Sequence, residues 1–242
     1  MSAPPLLAAR DVRKRFGALV VLDGVVLEVG HGEAVGIVGP NGAGKTTLLD
    51  VLAGALRPEE GAVTFCGEDV TRARAAARCR LGVGRTHQVP RPFADMTVFE
   101  NVLVGAGAGA GLRGDEAVAA ALGALERAGL EPLANRRAAT LGLLDRKRLE
   151  MARALATDPV VLLLDEIAGG LTEAETASLV ESIRALRDGG LAIVWIEHVV
   201  HALLRVAERL VCMAGGRVIA EGEPAAVMAD PAVVEAYLGR AA

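Results

Sequence analysis

Apolar and polar positions along the chain fall into strand-like and helix-like stretches whose order predicts the architecture. Leu6 to Phe16 and Val20 to Val29 read as strands around a turn at Phe16-Gly17-Ala18, and Gly61–Cys66 adds a strand that turns at Gly67-Glu68. Between them, Val35–Thr47 begins as a short apolar run, passes through glycines and ends in Gly44-Lys45-Thr46-Thr47. Leu48, Leu49, Val51 and Leu52 then follow at helical spacing, so the stretch predicts strand, loop and helix start. Leu81–Gln88 reads as a short strand ending in the polar loop RTHQVPRPF. From Met96 to Ala156 the pattern is helical, with GAGAGAGLRGD between Gly105 and Asp115 predicted as a flexible link inside it.

After Asp158-Pro159 strands and helices alternate. Val160–Leu164 is a continuous apolar run of the length a buried parallel strand needs, and it ends in Asp165 and Glu166. Thr172 and Glu175 have capping-box spacing ahead of a helix through Leu179, Ile183 and Leu186. Leu191–Ile196 is another buried strand, ending in Glu197-His198. Leu210–Met213 and Arg217–Ala220 form a hairpin around Gly215-Gly216, and Asp230-Pro231 opens a closing helix. Alternation of this kind around a phosphate-type loop predicts an open α/β sheet with ligand at the carboxyl ends of its strands.

Composition narrows the partners. At 242 residues and 52% hydrophobic, the chain can bury one substantial core. A net charge of −4 and few aromatics give no case for nucleic acid, double- or single-stranded. Cys66, Cys79 and Cys212 are odd in number and far apart, which argues against a disulfide framework or metal cluster and fits a reducing cytoplasm. MSAPPLLAAR lacks a basic signal-type start, and no segment reaches the roughly eighteen apolar residues needed to span a bilayer, so the chain is expected to be soluble by itself.

The chemistry concentrates at the predicted strand ends. Glycines at 39, 42 and 44 let backbone N–H groups converge on phosphate oxygens, and the following helix adds its positive dipole end. Lys45 supplies a charge to the β- and γ-phosphates, and the Thr46 hydroxyl is placed to hold a magnesium ion, matching G-x-x-x-x-G-K-[ST] at every fixed position. Asp165 is expected to orient that magnesium through its water shell and Glu166 to act as general base on an attacking water. Gln88 is placed to sense the magnesium and water, and His198 to donate to the γ-phosphate. Phe16 either stacks on an adenine ring or is a core or turn aromatic; position alone leaves both open.

In this order the residues resemble the ATP-binding subunits of ABC transporters over nearly the whole chain. GPNGAGKTT is similar to Walker A, Gln88 to the Q-loop glutamine, and VVLLLDE to Walker B with its catalytic glutamate. Ala168–Thr172 resembles the D-loop and His198 the switch histidine. GRTHQ, FADMTVFENVLV, RLEMARAL, IEHVV and the terminal DPAVVEAYLG resemble the branched-chain amino-acid subfamily, whose ATPases serve importers of hydrophobic amino acids and sometimes urea or amides. The resemblance implies a P-loop NTPase RecA-like core with an antiparallel β-subdomain (core 1–89 and 159–242) and an inserted α-helical subdomain (90–158). It implies ATP contacts from Phe16, now the adenine-stacking aromatic, and from Gly39, Pro40, Asn41, Gly42, Ala43, Gly44, Lys45, Thr46 and Thr47. Catalytic roles go to Lys45, Gln88, Glu166 and His198, and magnesium contacts to Thr46, Gln88 and Asp165. It also implies membrane permease subunits and a second ATPase subunit as partners, a substrate-binding protein indirectly, and a place on the cytoplasmic face of the membrane.

The departures are local. Where the family has a glycine-containing LSGGQ-like signature, this chain has Leu141-Gly142-Leu143-Leu144-Asp145. Leu144 either puts a branched side chain where a glycine normally allows close approach to the partner's γ-phosphate, or packs against the helical section after a slight shift of the loop, and Asp145 puts a carboxylate near a polyanion. Ile167 stands for the proline after the glutamate, Thr172 for the D-loop acidic or amide residue, and Val199 for the acidic residue after the histidine. A homodimer would present this altered signature to both nucleotides.

Overall fold

The computed structural model describes residues 4–238; the first three residues of MSAPPLLAAR and Gly239 of the terminal motif lie outside them. Two sheets stack over two apolar cores. A four-stranded antiparallel sheet runs β2-β1-β4-β5, from β1 (Leu7–Phe16), β2 (Leu19–Val29), β4 (Glu60–Phe65) and β5 (Glu68–Asp69). A six-stranded sheet runs β10-β9-β3-β8-β7-β6. Its strands are β3 (Ala34–Val38), β6 (Val83–Arg85), β7 (Val161–Asp165), β8 (Ala192–Ile196), β9 (Arg209–Ala214) and β10 (Arg217–Gly222). Every contact among β9, β3, β8, β7 and β6 is parallel, and β10 closes the edge antiparallel to β9.

β3 is buried along its whole length because its two faces serve different cores. Val35 and Ile37 pack with the antiparallel sheet and with helix α1 (Lys45–Leu52), while Ala34 and Val38 face the helical core on the other side. That period-2 partition of an all-apolar strand is what a doubly covered parallel sheet requires. The helical core includes residues of α3 (Val98–Val104), α4 (Gly114–Arg127), α5 (Leu143–Leu155) and α6 (Glu173–Asp188). Reciprocal capping boxes start α3 at Thr97/Glu100 and α6 at Thr172/Glu175, the latter as the sequence predicts.

Four stretches depart from the sequence reading. GAGAG is no flexible link: Gly105–Gly109 forms a π-helical turn that continues α3. A Cβ on Gly105 would lie 2.5 Å from the Arg153 carbonyl oxygen, and one on Gly109 would strike Thr157, so the glycines let two backbones touch. Between α4 and α5 the helical pattern lapses into short 3₁₀ turns at Glu131–Leu133 and Ala138–Thr140. Helix α2 (Ala75–Leu81) occupies the start of the stretch read as a strand, leaving β6 only three residues. Short helices α7 (Val200–Leu203) and α8 (Pro224–Ala229, capped by the Glu223 carboxylate on the Ala226 N–H) precede the predicted closing helix α9 (Pro231–Leu238).

Candidate functional site

The phosphate-type loop joins β3 to α1. Gly44 is the helix N-cap at φ 97°, and a Cβ there would lie 2.6 Å from the Val21 carbonyl, so both the turn and the β2 backbone demand glycine. Lys45 is 6% exposed, and its Nζ donates to the carbonyls of Gly39 (2.7 Å) and Pro40 (3.0 Å). Burial pushes the Lys45 ammonium below the usual lysine range, opposed by the carboxylates of Glu166 and Asp165. At the root of the loop, the Gly39 N–H donates to the Tyr237 hydroxyl of α9 at 2.7 Å.

Asp165 and Glu166 leave the end of β7, two strands away from β3. Asp165 is 1% exposed, and Thr46 Oγ1 donates to its Oδ1 at 3.4 Å. Arg85, at the end of β6, reaches Asp165 Oδ2 at 3.4 Å and pairs with Asp50 of α1. Burial nevertheless leaves the Asp165 carboxyl above its ordinary range, with Arg85 offsetting only part of that effect. A buried carboxylate short of positive charge beside a threonine hydroxyl is a donor set suited to a hard divalent cation completed by phosphate oxygens and water. Glu166 takes φ 46°, a left-handed conformation rare for a non-glycine residue. Its carboxylate is gripped from two sides: Oε1 lies 2.6 Å from His198 Nε2, and Oε2 accepts from Gln88 Nε2.

One open cavity of about 660 Å³ is walled by Leu19 and Val21 on the antiparallel side, the loop from Asn41 to Thr47, and Gln88, Glu166 and His198 opposite. Gln88 therefore meets the carboxylate of Glu166 and, among the described residues, makes no hydrogen bond to Asp165 or Thr46. Phe16 is half exposed, sits beneath the Lys14 ammonium and pairs across the hairpin with Leu19, so it is no core aromatic and stands next to the cavity wall. Sequence reasoning missed Arg85 and Tyr237, whose roles come from partners 80 and 198 residues away.

The ABC transporter family profile matches residues 22–169, from β2 through the loop after Glu166. The chain belongs to the ABC transporter family. A second profile, for the branched-chain amino acid ATP-binding cassette transporter, matches residues 217–242. The chain is 38% identical to the high-affinity branched-chain amino acid transport ATP-binding protein LivG of Salmonella typhimurium, covering 98% of this chain and 99% of that one. It is 34% identical to a probable LivG of Methanocaldococcus jannaschii, covering 97% of each. Among solved structures, the ADP conformation of the ATP-binding cassette MJ1267 superposes with a TM-score of 0.91 at 33% identity over 98% of this chain and 100% of that chain. This cassette is accordingly an ATPase of the ABC type, with the P-loop core, antiparallel sheet and helices expected of that fold.

The altered signature follows the second of its two sequence readings, with Leu144 packed rather than projecting. Gly142 caps α5, Leu144 turns inward against the helical core, and Leu143 is the branched side chain left 44% exposed. Ile167 and Ala168 are fully buried in the same core, so the residue standing for proline acts as apolar packing.

Proposed function

We propose that this cassette is one of two nucleotide-hydrolysing subunits of a transporter that imports branched-chain or related amino acids, or urea and amides. It works on the cytoplasmic face of the membrane beside separate permease subunits fed by a substrate-binding protein. No helix among the described residues is long and apolar enough to cross a membrane, which leaves the spanning segments to partners. The observation that carries the hydrolytic reading is the Glu166 carboxylate held between Gln88 and His198 across one cavity from Lys45.

In this reading the Asn41–Thr47 amides and the α1 dipole bind the phosphates, and Lys45 neutralises charge on the β- and γ-oxygens. Glu166 takes the proton of the attacking water, while Gln88 and His198 hold its carboxylate in line and register the γ-phosphate. Thr46 and Asp165, with Gln88 as a third contact, would hold magnesium, which when bound would supply positive charge to offset that of the phosphates. Phe16 stacks on the adenine. Residues 1–89 and 159–242 form the core, and 90–158 form the helical part that carries the signature and meets the permeases. The family similarity supports two ATP molecules sandwiched head to tail between two cassettes. Leu143 and Asp145 favour a partner ATPase with a glycine-containing signature over a homodimer, because in a homodimer they would face both nucleotides.

The test is a pair of variants. Lys45→Ala should abolish most ATP binding, whereas Glu166→Gln should bind ATP normally and hydrolyse it at least about a hundredfold more slowly, since only the base is lost. Wild-type hydrolysis by Glu166→Gln would overturn the assignment.

A further inference from the structure

Two buried, oppositely charged side chains outside the nucleotide cavity converge on the turn that carries Glu166. Glu197, at the end of β8, is 1% exposed; its Oε1 accepts the Ala168 N–H at 2.5 Å and its Oε2 accepts the His198 N–H at 3.2 Å. Lys147, in the second turn of α5, is 4% exposed and donates from Nζ to the Glu166 carbonyl at 3.3 Å. Burial raises the Glu197 carboxyl and lowers the Lys147 ammonium, and the charges of Glu197 and Glu166 act on that ammonium. Each charge is out of water and is bound to a peptide group of that turn, Glu197 also to the peptide of His198.

That turn needs holding. A non-glycine residue in the left-handed region is strained by about 1–3 kcal/mol and persists only where its surroundings over-determine it. The Glu166 peptide is fixed by its own N–H on the Ile196 carbonyl (2.9 Å) and by Gly169 N–H on its carbonyl (3.2 Å). Lys147 adds a charged donor to that same carbonyl, and Glu197 fixes the peptide two residues on while also fixing the backbone of His198. The carboxylate and the imidazole that meet at 2.6 Å are therefore anchored through one buried carboxylate.

We propose that Lys147 and Glu197 are positioning residues for hydrolysis: together they hold Glu166 in its left-handed conformation and in register with His198. Lys147 in addition ties the general base to the helix that begins at the signature. Leu144 and Asp145 lie less than one turn before Lys147 on α5, so contact made at that helix start is transmitted to the Glu166 carbonyl through one side chain. This rests on Glu166 being the general base.

Lys147→Met and Glu197→Gln, singly and together in the full chain, test it. Each single variant leaves one buried charge uncompensated and should lower the melting temperature; the double variant removes both charges and should recover most of it. Single-turnover ATP hydrolysis should fall about ten- to a hundredfold in all three, because a displaced base cannot be rescued by removing the second anchor. ATP affinity should stay within about twofold of wild type, since the P-loop is untouched. Hydrogen exchange at the Ala168 amide should accelerate wherever Glu197 is replaced. Hydrolysis that recovers along with melting temperature in the double variant, or that stays at the wild-type rate in the singles, overturns the proposal. If Glu166→Gln itself hydrolyses normally, the reading of the site fails first; if Glu166→Gln is inactive and these variants are not, this inference alone fails.

Discussion

Replacing Arg78 by methionine should be among the most damaging single changes outside the nucleotide cavity. Arg78 lies in α2, is 0% exposed, and its guanidinium donates to five main-chain carbonyls. It donates to Val51, Leu52 and Val70 at 2.7 Å each, to Ala73 at 3.2 Å and to Thr71 at 3.3 Å. Val51 and Leu52 end α1, so a full positive charge sits on the negative end of the P-loop helix. Methionine keeps the aliphatic volume but leaves these carbonyls without a charged donor, at roughly 1–3 kcal/mol for each one left unsatisfied. Removing the guanidinium also removes its own desolvation cost of several kcal/mol. The net loss should be about 3–5 kcal/mol, or roughly 6–20 °C in Tm for a domain of this size. Lysine, a single point donor, should restore less than half of it. Calorimetry and urea unfolding measure the effect, and saturating ATP should raise wild type and variant by similar increments because the phosphate end of α1 is unaltered. A loss under about 1 kcal/mol, or the disappearance of the ATP increment, would refute this account of Arg78.

Three further outcomes follow from the site. Tyr237→Phe removes the acceptor of the Gly39 N–H and should weaken ATP binding by about 1 kcal/mol, a factor of about five in Kd, as measured by titration. Asp165 has a carboxyl raised by burial, so the native state holds its proton more tightly than the unfolded chain. Its contribution to stability is therefore full below about pH 4 and lost as pH rises through the raised value. Asp165→Asn should accordingly be at least as stable as wild type at pH 7 without nucleotide while losing magnesium-dependent ATP binding; urea unfolding between pH 4 and 7 compares the two, and a less stable variant at pH 7 would count against the argument. Leu143→Gly with Asp145→Gln should strengthen ATP-driven dimerisation by about 1 kcal/mol or more, read by sedimentation of the Glu166→Gln background at saturating ATP, because an exposed side chain and a like charge leave the α5 N-terminus.

What could be read in the sequence was whatever depends on local spacing. Glycines 39, 42 and 44 with Lys45 and Thr46 announce their loop because backbone geometry and phosphate chemistry both restrict those positions. Asp165, Glu166 and His198 were legible as polar residues ending buried strands, and the structure brings Glu166 and His198 together. At Gly105–Gly109 the local signal of glycine is a breaker, whereas here it permits backbone contact with α5, a tertiary fact. Arg78, Lys147 and Glu197 carry no pattern at all: a buried charge satisfied by main-chain groups looks in sequence like any surface charge. Leu144 turns inward and leaves Leu143 exposed because the rotational phase of a helix start is set by its N-cap, Gly142, and by the core beneath it.

The order β3-β8-β7 makes the sheet a ruler for the reaction. Lys45 follows the first of these strands, His198 the second and Glu166 the third, and adjacent strands stand about 4.8 Å apart. The strand roots of Lys45 and of Glu166 are thus separated by two strand spacings, about 10 Å, a distance set by backbone hydrogen bonding and by no side chain. Point substitutions can unload either bank of the cleft, but they leave its width unchanged. Altering that width would take the loss of a strand.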